Sequence, residues 1–180
     1  MRIFLDTEYT GLHQQSTLIS LALYFDEQNY LYAEFNDFEI SQINSWLKDN
    51  VMDQLEHSGV NEALHVAGNT WKLKGSRVFV KEKIEQWIAQ YPQIEIWADC
   101  YAWDWVLFCE LWGGSLNLPK NIFFMPMDLA TLFKLKGLNP DTSRFQFVKE
   151  KLLEFSEAKQ HHALWDAKVE KWCYENLIST

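Results

Sequence analysis

With 180 residues, 48% hydrophobic and 23% charged, the chain has the length of one domain and can bury about 70% of its unfolded surface, which excludes disorder. No run nears the ~18 apolar residues of a membrane span, Asp6 interrupts the apolar start before a signal-peptide core forms, and Cys100, Cys109 and Cys173 make neither a CxxC pair nor a disulfide framework. The formal charge of −9 runs against the basic surface that phosphate binding ordinarily uses; the whole deficit sits in residues 1–70, with 2 basic and 11 acidic side chains, while residues 71–180 hold 14 of each.

The elements alternate. Ile3-Phe4-Leu5, Thr17 to Phe25 and Tyr30 to Phe35 read as consecutive antiparallel strands, the last two parted by a turn at Asp26-Glu27-Gln28-Asn29. Residues 57–76 read as one long irregular stretch of the kind that carries function or mobility. Val80, Ile84, Trp87, Ile88 and Tyr91 share one face of a helix that Ser76 caps and Pro92 ends. Ile94 to Ala98 is a buried strand, and a helix from about Tyr101 to Trp112 stops at Gly113-Gly114. Ile122 to Met127 reads as a further strand, and Ala163 to Leu177 as a terminal helix. Three strands followed by β/α alternation predict an α/β protein with a mixed sheet flanked by helices.

Lys72, Lys74, Arg77, Lys81 and Lys83 form one basic cluster; Lys134, Lys136, Arg144, Lys149 and Lys151 form a looser second one. Either could follow a phosphate backbone, and each lysine taken singly fits a solvated surface equally well.

The carboxylates carry the sharpest signal. Side chains alternate across a strand, so if the first strand persists through Asp6-Thr7-Glu8, Asp6 and Glu8 point to one face. Two neighbouring carboxylates are costly unless neutralised, and a divalent cation with oxygen ligands does that. Asp104 lies among Trp97, Tyr101, Trp103 and Trp105, where an unpaired buried carboxylate costs several kcal/mol or changes its protonation state. Asp99 fits a solvated turn. Asp166 opens the terminal helix. If His161 shared that helix, the two would stand about 140° apart; they converge only if His161 lies on the preceding loop, where its imidazole suits a general base. His13, His57 and His65 have no comparable setting.

Asp6-x-Glu8, then Asp104 at an aromatic-rich helix start, then His161-x-Ala163-x-x-Asp166 resemble, in order and spacing, the three motifs of the DEDDh family of 3′-to-5′ exonucleases, over nearly the whole chain. Phe4 to Leu12 is very similar to the family's first motif. The resemblance implies an RNase H-like fold in a single, free-standing exonuclease domain over residues 1–180. It implies that Asp6, Glu8, Asp104 and Asp166 bind two Mg²⁺ or Mn²⁺ ions, one activating water and the other stabilising the leaving 3′ oxygen. His161 would remove the water's proton, and the product would be a nucleoside 5′-monophosphate. Thr7, Tyr9, Thr10 and Leu12 match positions that line the pocket for the terminal nucleotide, and Trp103 either stacks on a base or packs in the core. Two departures stand out: Cys100 replaces an Asn common before the third acid, and His162 occupies the register in which a sister subgroup carries Tyr.

The resemblance implies RNA 3′ ends as substrate, single-stranded or overhanging, and a cytoplasmic homodimer with no membrane partner. A DNA exonuclease of repair or proofreading type remains open, since no reader of the 2′-hydroxyl is recognisable. A non-catalytic nucleotide- or RNA-binding module is disfavoured by the complete set of four acids and a histidine.

Overall fold

The computed structural model describes residues 1–149 and 159–179. Lys151, of the second basic cluster, lies outside them. The first strand, β1 (Arg2–Tyr9), runs well past its apolar core and pairs antiparallel with β2 (Leu18–Asp26), which pairs antiparallel with β3 (Asn29–Phe35). On its other side β1 pairs parallel with β6 (Glu95–Ala98), and β6 with the two-residue β7 (Met127–Asp128). With β4 (Ala63–Ala67) and β5 (Asn69–Gly75), the sheet has seven strands in the order β4-β5-β3-β2-β1-β6-β7. The architecture is a mixed α/β sheet with helices on both faces.

The alternation of β1 sorts the core. Ile3 and Leu5 face a cluster with α2 (Arg77–Ile88) and α3 (Ala102–Glu110), through Val80, Ile84, Trp87 and Phe108. Phe4, with Ala22, Tyr24 and Tyr32, faces α4 (Leu129–Leu135), α5 (Arg144–Lys149) and α6 (Ala163–Ile178). Ser76 caps α2 as the sequence predicts, its hydroxyl accepting the Phe79 N–H. A short α1 (Ser45–Asn50) packs Leu47, and its C-cap Val51, against Ile19. No helix among the described residues is long and apolar enough to cross a membrane.

Two expectations are corrected. Residues 57–76 hold the β4–β5 hairpin, turning at Gly68 with φ of +62°, a left-handed value that favours glycine. It escaped notice because β4 lies at the sheet edge and is mostly exposed, so it carries no buried alternating face. Ile122 to Met127 is not a strand: a lone Ile94–Ile122 bridge and then β7 replace it. Pro126 has no N–H to give a ladder, and Phe124 and Met125 are exposed.

Candidate active site

Because β1 persists, Asp6 and Glu8 lie opposite Ala22 and Ser20 and project to the face covered by α6. Asp166, in the first turn of α6, meets them there. Carboxylate oxygens of Asp6, Glu8 and Asp166 lie within 4.8 Å of one another. Thr7 projects to the opposite side. Its N–H and hydroxyl both donate to Asp104 Oδ1, at 3.0 and 2.7 Å, which ties the buried start of α3 to the strand. Asp104 thus stands beside the trio rather than inside it.

Burial dominates the electrostatics. It pushes Asp6 well above the carboxylate range, with repulsion from Asp166, Glu8 and Asp104 adding to it. Glu8 and Asp166 are each pushed up to about 8, mainly by burial. For Asp166 the backbone N–H groups of His161 and His162 act in the opposite sense, favouring the charged form. Asp104 rises to about 6, burial outweighing the two bonds from Thr7. Asp6 Oδ2 and Asp166 Oδ1 are buried and accept no hydrogen bond. Buried polar atoms are ordinarily paired. Two orphaned oxygens in a cluster of oxygen-only ligands are the donor set that a hard divalent cation takes, so the residues present fit Mg²⁺ or Mn²⁺.

The two histidines part company. His161 lies before α6, on the loop, with a left-handed φ of +66°, so it escapes the angular conflict with Asp166. Its ring meets Trp46 of α1 edge-on at 5.0 Å, and burial lowers its pKa, keeping the imidazole neutral at pH 7. His162 stacks on Tyr32 at 4.7 Å and sets Nε2 3.4 Å from Glu56. Glu56 is itself held in place: the fully buried Glu34 of β3 accepts the N–H groups of Glu56 and His57, at 2.6 and 3.1 Å.

Of the other residues singled out in the sequence, Leu12 is 70% exposed on the β1–β2 connection. Thr10 is buried, its hydroxyl bonded to Gln42 and to the Thr17 N–H. Tyr9 and Trp103 are partly buried with ring centres 6.4 Å apart. Three members of the first basic cluster are paired within the protein. Lys72 pairs with Glu56 at 2.6 Å, Lys74 donates to the His57 carbonyl at 2.8 Å, and Lys81 pairs with Glu85. Of the second, Arg144 is drawn into an ion pair with Asp99 at 2.7 Å, so Asp99 is not simply a solvated turn residue.

Sequence reasoning missed Trp46, Glu56 and Glu170. Trp46 sits on a helix too short for periodicity to reveal, and Glu56 lies between elements, held by the carboxylate of Glu34 on β3. Glu170 did leave a signal: an acid one turn after Asp166, between Val169 and Cys173 on the apolar side of α6.

The chain is 27% identical over 139 residues to the 3′-5′ exoribonucleases of two Mycobacterium tuberculosis strains, CDC 1551 / Oshkosh and ATCC 25618 / H37Rv. The matched stretch covers 76% of this chain and 76% of each of those proteins. No protein-family model matches. Distant similarity to two proteins named as exoribonucleases therefore accompanies the carboxylate cluster.

Proposed function

We propose that this protein is a divalent-cation-dependent 3′-to-5′ exoribonuclease of the DEDDh type, on an RNase H-like fold. The observation that carries this is the meeting of Asp6, Glu8 and Asp166 within 4.8 Å, two of their buried oxygens unsatisfied. Asp104 is fastened alongside by Thr7. The names of the mycobacterial relatives support RNA as the substrate.

In this reading Asp6, Glu8, Asp104 and Asp166 hold two Mg²⁺ or Mn²⁺ ions, which supply Lewis-acid activation and charge neutralisation when bound. His161, neutral because burial disfavours its cation, accepts the proton of the attacking water at a ring nitrogen. Water oxygen bonds to the last phosphorus, the bond from phosphorus to the 3′ oxygen breaks, and that oxygen leaves on the shortened RNA and takes up a proton. The product is a nucleoside 5′-monophosphate. Leu12, exposed at the mouth of the first motif, packs against the terminal base, with Tyr9 and Trp103 beside it. Thr7 and Thr10 act by shaping the pocket, since both hydroxyls are already bonded to protein groups. The protein works as a cytoplasmic homodimer of one exonuclease domain per chain.

A time course on matched single-stranded and 3′-overhanging RNA and DNA, labelled at the 5′ end, tests this with Mn²⁺, Mg²⁺ or EDTA beside Asp6→Ala. A metal-dependent ladder shortening from the 3′ end, faster on RNA and absent in the mutant, is expected. Faster shortening of DNA would make it a DNA exonuclease, and no shortening with either metal would leave a binding module.

A further inference from the structure

Glu170 belongs to none of the proposed catalytic roles, yet it is one of the most deeply buried acids in the fold, 4% exposed. It lies one helical turn after Asp166, so both project from the same side of α6, about 40° apart. Its Oε1 accepts the backbone N–H of Asp99 at 2.9 Å, across 71 residues of sequence. Asp99 follows β6 and begins the turn into α3, the helix that carries Asp104.

That turn is strained. Cys100 has φ of +49°, a left-handed value uncommon for a residue with a Cβ. Such backbone persists when its surroundings over-determine it. Two contacts do so at Asp99: Glu170 takes its N–H, and Arg144 takes its carboxylate at 2.7 Å. Arg144 is in turn fixed by the Pro140 carbonyl at 2.8 Å and lies over the Phe133 ring at 4.1 Å.

We infer that Glu170 is a positioning residue: by gripping the Asp99 amide it locks the α3 start to α6, and so sets the distance between Asp104 and Asp166. The inference rests on the metal-dependent reading above. Asp104 and Asp166 are the two acids supplied by helices, whereas Asp6 and Glu8 share one strand whose geometry the sheet already dictates. The relative placement of α3 and α6 is therefore the variable that the site must control, and the Glu170 to Asp99 bond ties α6 to the turn that leads into α3. Burial beside Asp99, Asp104 and Asp166 pushes the Glu170 carboxyl well up, so a glutamine, neutral and of the same shape, can accept the same N–H.

The test compares Glu170→Gln and Glu170→Ala with the wild type. Mn²⁺ affinity is read by electron paramagnetic resonance, kcat and KM on a 5′-labelled RNA, melting in EDTA, and hydrogen exchange of the Asp99 amide. Outer-shell partners of metal ligands typically contribute about 10–100-fold in affinity or activity. Glu170→Ala should lose Mn²⁺ affinity on that scale, lower kcat more than it raises KM, and speed exchange at Asp99. Glu170→Gln should restore all three. Should the alanine variant not fold, the glutamine variant alone decides. Mn²⁺ affinity equal to the wild type's in the alanine variant, or loss in the glutamine variant, would overturn the inference. A wild type that binds no Mn²⁺ would instead overturn the metal-dependent reading, and the inference with it.

Discussion

Thr7 gives both its backbone N–H and its hydroxyl to the same oxygen of Asp104, 97 residues away. Its neighbours Asp6 and Glu8 turn to the other face of the strand, so three consecutive residues address two different helices. Valine keeps the volume of Thr7 and removes only the hydroxyl. Thr7→Val should lower stability by about 1–3 kcal/mol, because a buried acceptor loses a donor. On the proposed reading, in which Asp104 helps to hold the ions, it should also weaken Mn²⁺ binding about 10-fold or more. Chemical denaturation and Mn²⁺ titration check the two parts; unchanged Mn²⁺ binding would make the contact purely structural.

The crowded carboxylates set a pH dependence with a definite sign. Folded Glu8 and Asp166 keep protons up to about pH 8, and Asp104 to about pH 6, while the unfolded chain releases them near pH 4. Across that window the folded state binds more protons, so the site's contribution to stability falls as pH rises. Melting in EDTA should show the difference between Asp166→Asn and wild type growing in the mutant's favour from about pH 5 to pH 8, and Mn²⁺ should restore the wild type at pH 8. A difference independent of pH would mean the acids are not crowded as described.

The adjacent histidines should separate by phenotype. His161→Ala is expected to slow turnover roughly 10²–10⁴-fold, the scale of general-base catalysis, with melting little changed. His162→Ala removes the stack on Tyr32 and the approach to Glu56, and should lower stability by about 1–3 kcal/mol with a smaller effect on kcat. At saturating Mn²⁺ the acid limb of kcat/KM for the wild type should lie below pH ~6.5, since burial lowers the His161 pKa. If His162→Ala were the slower enzyme while melting normally, the roles would be reversed.

Lys72 and Lys74 are spent on the protein's own acids and carbonyls. Lys74→Met should lower stability by about 1–3 kcal/mol, more than Lys72→Met, because its side chain is the more buried and sits near the fully enclosed Glu34. The slope of RNA affinity against salt should stay the same in both. A slope shallower by about one unit would mean that the lysine reaches a phosphate after all.

The placement of the first carboxylates was more legible than some of the elements around them. Asp6 and Glu8 could be placed on one face because strand periodicity is rigid, whereas His161 belonged on the loop only on the condition that it serve one site with Asp166, which a shared helix forbids. The β4–β5 hairpin was invisible, since an exposed edge strand need not alternate. Ile122 to Met127 looked like a strand because it is apolar, and the Pro126 ring that spoils it counts for more than the side chains around it. The trio without Asp104 was not foreseeable either: whether an acid joins a cluster or rests on a threonine depends on a few ångströms that no spacing encodes. The same holds for Glu56 and Asp99, whose partners are distant in sequence.

Asp6 and Glu8 lie in the first strand, Asp104 past the middle of the chain and Asp166 in the last helix described, and α6 is the element that closes the trio. During synthesis the strand that holds the first two acids emerges long before the helix that completes them. A nascent chain therefore has no finished carboxylate trio until residue 166 has left the ribosome and its helix has docked.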